Sequence, residues 1–224
     1  MSGLSPRATI VLAAVAALAC GDISSPVRDD VYDWRLVVLT ETGADTVHFH
    51  WDRDDLPVRV WVAEDEVPDL PSHMRRAIDI WEAAYLYGEF KGELVSDSNS
   101  AQVIVRGVPP PPEPAARASR LLSALAPECR GATDLDISPD LTQLRLPIRI
   151  YLEPRVSLDS PGLGDCMALT SIHELGHAIG IFAHSSDPED IMFTDPQVDL
   201  PSEADLETAE VLYHLPPTIE AVRP

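Results

Sequence analysis

The stretch SIHELGHAIGIFAHSSDPEDIM, residues 171 to 192, restricts what this chain can fold into more than any other segment. Residues 166 to 183 are helix-compatible, and His173 and His177 stand four apart, which predicts both imidazoles on one helical face about one turn apart. A histidine pair at this spacing can be a surface accident. Leu175, Ala178, Ile179, Ile181 and Phe182 argue otherwise, because they make the helix largely apolar and set the histidines in or beside a core. Buried polar groups need partners, and a metal ion supplies them. Zinc accepts neutral imidazole nitrogen at about 2.0 to 2.1 Å, and a catalytic zinc site takes three protein ligands and leaves a fourth position open to water. Glu174, next to the first histidine, is the carboxylate such a site sets beside that water.

His173, Glu174, His177 and Gly180 resemble the HExxHxxGxxH motif of the metzincin metalloproteases, in particular their matrixin-like branch. The family has histidine at the position of Ala183; here histidine arrives one residue later, at His184. His184-Ser185, then Asp187-Pro188, then Met192 is similar to the matrixin continuation, so the register is intact when counted from His184. The resemblance implies metal ligands His173, His177 and His184, with the extra residue absorbed as a wider turn after Gly180, where glycine permits positive φ. Asp187 is the competing third ligand, since carboxylate oxygen also suits zinc. Met192 is implied as a packing floor beneath the metal, and Phe193 in place of tyrosine argues against the astacin-like branch.

What the resemblance implies is a zinc metalloendopeptidase that hydrolyses peptide bonds through zinc-bound water, with Glu174 as general base. Its protein or peptide substrate would lie extended along an edge strand, for which residues 131 to 137 are the expected candidate. Two other readings keep the same residues: a zinc hydrolase acting on cell-wall peptide material, and a catalytically weak, protease-like binding lipoprotein.

The order of elements predicts a twisted sheet with a long backing helix, and the resemblance implies an α+β, metzincin-like domain over residues 57 to 217 that adds an active-site helix and a C-terminal helix to a mixed sheet. Residues 35 to 51 predict a hairpin about a Thr42-Gly43-Ala44-Asp45 turn, within a linker segment 21 to 56. His48 and His50 alternate on its second strand as a surface pair. Strands are expected at 57 to 62, 90 to 95, 101 to 106, 131 to 137 and 146 to 152. Pro71 opens a helix whose Met74, Ile78, Trp81 and Tyr85 form a core stripe. Residues 108 to 120 read as a proline-rich surface loop, Ser202 to Asp205 as a capping box opening the last helix, and 218 to 224 as a tail.

The first 20 residues read as an export signal. Arg7 precedes an apolar run from Ala8 to Ala19, too short to span a bilayer, and Ala17-Leu18-Ala19-Cys20 resembles a bacterial lipobox. Lipid on Cys20 would anchor the protein to a membrane at the cell envelope; plain cleavage would release it outside the cell. Cys129 and Cys166 then remain as an even pair in an oxidising compartment, where a disulfide is expected. A net charge of -21 argues against nucleic acid. Asp52, Asp54 and Asp55, or Asp134 and Asp136, are candidate calcium carboxylates. A monomer is expected.

Overall fold

The computed structural model describes residues 31–40, 43–112, 118–123 and 127–223, so the export signal and Cys20 lie outside the described residues. The first hairpin joins β1 (Leu36–Thr40) to β2 (Gly43–Val47), antiparallel, with Leu36 opposite Val47. Gly43, Ala44 and Asp45 already belong to β2 and so are strand residues in place of the predicted turn. His48 and His50 fall beyond the strand. Their Nε2 atoms meet the Pro216 and Leu215 carbonyls at 2.7 and 3.0 Å, pinning the end of the last helix.

Alternation of buried and half-buried residues builds β3 (Val58–Val62), with Val58, Val60 and Val62 inward. Helix α1 (Leu70–Ala84) follows; Leu70, Met74, Ala77, Ile78 and Trp81 are its buried stripe, and Tyr85 closes it. The remaining strands are β4 (Gly92–Leu94), β5 (Val103–Arg106), β6 (Ala118–Ser123), β7 (Cys129–Ile137) and β8 (Gln143–Pro154). They form one sheet in the order β4-β3-β5-β8-β7-β6. Neighbours from β4 to β8 run parallel, whereas β7 is antiparallel to both β8 and β6. Helix α2 (Leu163–Ile179) packs against α1, β7 and β8, and α3 (Glu203–His214) ends near α1.

Three expectations are corrected. Residues 131 to 137 are not a free edge: β6 pairs with β7 from Ala118↔Asp136 to Ser123↔Gly131, so part of the predicted proline-rich loop is a strand. Arg120 holds it there, donating to Asp134 at 2.5 and 2.7 Å. The tail contributes β9 (Glu220–Val222), parallel to the start of β8, which extends further than predicted. The turn expected at Gly180 is present: α2 ends at Ile179, Gly180 has φ +122°, and the Ile181 amide donates back to Gly176.

Among the described residues the architecture is therefore mixed α+β, with a mixed sheet and three α-helices. Trp34, Phe49 and Trp51, from the segment ahead of β3, join the same core as the sheet and helices. Two indoles brace α2: Trp51 Nε1 donates to Ala178 at 3.0 Å and Trp81 Nε1 to Ile172 at 2.8 Å. Among the described residues, no helix is long and apolar enough to cross a membrane.

Candidate metal centre

Helix α2 is buried over most of its length, and His173, Glu174 and His177 are each fully inaccessible to solvent. The chain leaves the helix at Gly180, where a Cβ would overlap the Phe49 carbonyl, and swings back through Ile181 to Ala183. There the segment ahead of β1 intervenes. The Trp34 carbonyl accepts the amides of Phe182 and Ala183 at 2.8 and 2.9 Å. The loop holding the extra residue is thus bonded to the main chain of residue 34, and His184 is delivered to the other two histidines.

The Nε2 atoms converge: His173 lies 3.1 Å from His177, and His177 lies 3.2 Å from His184. Ring orientation is set from behind. His173 Nδ1 sits 2.7 Å from the Ile191 carbonyl, and His177 Nδ1 sits 2.6 Å from the Ile181 carbonyl. A carbonyl only accepts, so both Nδ1 atoms carry the proton and both Nε2 atoms present lone pairs. Burial pushes the His173 imidazole down to about 3, with the nearby His184 adding to the effect. It also pushes His177 well below its ordinary value, with His173 and His184 contributing, and lowers half-buried His184. All three are therefore neutral at pH 7.

Two lone pairs 3.1 Å apart with no proton between them repel, and a cation at their convergence removes the conflict. Two nitrogens each about 2.0 to 2.1 Å from one ion, at a tetrahedral angle, lie about 3.3 Å apart. The spacing and the all-imidazole donor set fit a zinc-sized ion. Among the described residues, the group of three or more metal-capable side chains is His173, His177 and His184.

Asp187 is engaged elsewhere: its carboxylate accepts the Glu189 amide at 3.0 Å and it lies outside the cluster. Met192 is fully buried under α2, so close that a Cβ on Gly176 would overlap its sulfur. Asp134 is taken by Arg120 and Asp136 faces Arg145 at 3.4 Å, while Asp52 precedes a short 3-10 turn, Arg53–Asp55, that contains Asp54 and Asp55. Cys129 and Cys166 form a disulfide that ties β7 to the first turn of α2.

Several residues around the site are not singled out by the sequence. Thr133 on β7 donates to Glu174 Oε2 at 2.6 Å. Asp205, expected only as part of a cap, also accepts the amides of Ile191 and Met192 at 2.7 and 3.3 Å. Tyr32 donates to Asp205 at 2.7 Å. The capping box does form, with Ser202 accepting the Asp205 amide. Only its spacing, Ser202-x-x-Asp205, was available as a signal for this network. No protein-family model matches the chain, and no curated protein matches it.

Proposed function

We propose that this chain is a zinc-dependent metalloendopeptidase of metzincin type, with ligands His173, His177 and His184 and Glu174 as general base. The observation that carries the reading is the convergence of imidazole nitrogens whose outer Nδ1 atoms are already committed to backbone carbonyls. A zinc ion held there supplies Lewis acidity toward a water molecule and a scissile carbonyl. Glu174 takes the proton of the attacking water and delivers it to the departing amine nitrogen. The Ile191 and Ile181 carbonyls keep the two helical imidazoles in the tautomer that leaves Nε2 free to ligate.

The substrate is a protein or peptide, and the chain acts as a monomer outside the cytoplasm, either held at the envelope by lipid on Cys20 or released by plain signal cleavage. Because β6 covers β7, a peptide approaching the sheet beside Glu174 meets β6 first. The displaced histidine does not favour a degenerate binding protein, because His184 nevertheless reaches the cluster. Asp134 and Asp136 face arginines, which occupy the carboxylates that calcium would need.

The test is zinc content together with hydrolysis of a fluorogenic peptide library, in the wild type and in Glu174→Gln. Near-stoichiometric zinc in both, with hydrolysis reduced about 10²- to 10⁴-fold in the variant, is expected. A zinc-loaded wild type that cleaves no peptide, or a variant of undiminished turnover, overturns the proposal.

A further inference from the structure

Strand β7 presents Cys129, Gly131 and Thr133 to α2, the period-two set of one face. The three do different things there. Cys129 is bonded to Cys166, which fixes the strand against the helix about two turns before the histidines begin. Gly131 carries no side chain because the Glu174 side chain occupies that space: a Cβ at 131 would overlap its carboxylate and its Cγ. Thr133 points its hydroxyl at Glu174 Oε2, 2.6 Å away, and also lies 3.4 Å from the Glu174 carbonyl. Thr133 and Glu174 are both fully buried.

A carboxylate out of water depends on its donors, and a hydroxyl donating to an ionised oxygen makes a short, charge-assisted bond. Glu174 also has three side-chain torsions to fix, each with alternative wells. The floor at Gly131 gives it room and the hydroxyl at Thr133 selects one arrangement within that room.

We propose that Thr133 is a positioning residue for Glu174, holding the carboxylate in its working orientation over the space that Gly131 leaves open. Its kinetic consequence rests on the peptidase reading, whereas its structural consequence does not. Thr133→Val removes the hydroxyl and keeps the shape; Thr133→Ser restores the hydroxyl; Thr133→Ala replaces the valine variant if that one does not fold. Two readouts are taken on zinc-loaded full chain: steady-state peptide hydrolysis, and the carbon-13 carboxylate resonance that is missing from Glu174→Gln.

Thr133→Val should keep its zinc, lose about 10- to 100-fold in kcat at little changed KM, and shift the Glu174 resonance. Thr133→Ser should return both toward the wild type, which loss of packing alone would not produce. A valine variant with unchanged resonance and kcat overturns the proposal, as does a serine variant as impaired as valine. If the zinc-loaded wild type cleaves no peptide, the peptidase reading falls, and the resonance alone decides the role of Thr133: moved by valine and restored by serine upholds it, unmoved overturns it.

Discussion

The carboxylate of Asp205 accepts the backbone amide of Ile191 at 2.7 Å, and Ile191 in turn offers its carbonyl to His173 Nδ1. The last helix thereby sets the tautomer of the first of the three clustered histidines through one residue of main chain. Asp205 is fully buried and also accepts from Met192, Ser202 and Tyr32. Asp205→Ala leaves these donors without their acceptor, and each unsatisfied buried group costs about 1 to 3 kcal/mol. Zinc affinity should fall about 10- to 100-fold, in line with other losses behind a ligating histidine. Thermal melting and a chelator competition measure the two effects.

Trp34 is buried and its carbonyl takes two successive amides of the loop leading to His184. Trp34→Ala keeps that main-chain carbonyl but removes the buried indole that seats it, and should cost about 3 to 5 kcal/mol. Zinc affinity should fall with it. Ile78→Ala, also in the core but on α1 against β4, should lower the melting temperature and leave zinc affinity near the wild type. Equal zinc loss in the two variants would mean that residue 34 acts on the fold as a whole and not on the loop.

Arg120 and Asp134 have side chains only 11% and 7% exposed, and their ion pair fastens β6 over the outer edge of β7. Removing one member of a buried pair costs about 3 kcal/mol. In Arg120→Ala, amide hydrogen exchange should accelerate in β7 while the amides of α2 keep their protection. Unchanged exchange in β7 would show that the backbone pairing holds β6 without the arginine.

Burial holds the phenols of Tyr32, Tyr85 and Tyr213 above the ordinary value of 10.0, with the Asp205 carboxylate adding to the effect at Tyr32. An unfolded chain releases these protons from about pH 10, whereas the folded chain retains them. The folded state therefore binds more protons above that point, so stability is complete below pH 10 and falls as pH rises beyond it. Near-ultraviolet phenolate absorbance should show these three tyrosines ionising together with alkaline unfolding, and Tyr32→Phe should make the stability loss shallower. Ionisation ahead of unfolding would contradict the burial argument.

Much of the fold was legible because its signals are local. The stripe Met74, Ile78 and Trp81, the alternating valines of β3 and the Ser202 cap each follow from spacing along one element, and each appears where predicted. Cys129 and Cys166 were legible as a pair, and they are bonded. The errors fall where a distant partner decides. A strand within the proline-rich stretch needs Asp134 to hold Arg120, and the tail becomes β9 only because the edge of β8 near Gln143 accepts it.

The sequence by itself determined the histidine pair, the glutamate beside it and the shape of the helix that carries them, since three- and four-residue spacing fixes a helical face without any other part of the chain. It also supplied His184 and Asp187 as alternatives for the third position. Only the tertiary structure brought His184, and not Asp187, to the histidine pair, because that depends on how the loop after Gly180 returns, and the Trp34 carbonyl from almost 150 residues upstream bonds that loop. The same holds for Thr133 beside Glu174: hydrogen bonds between remote segments have directions and distances, and spacing in the chain records neither.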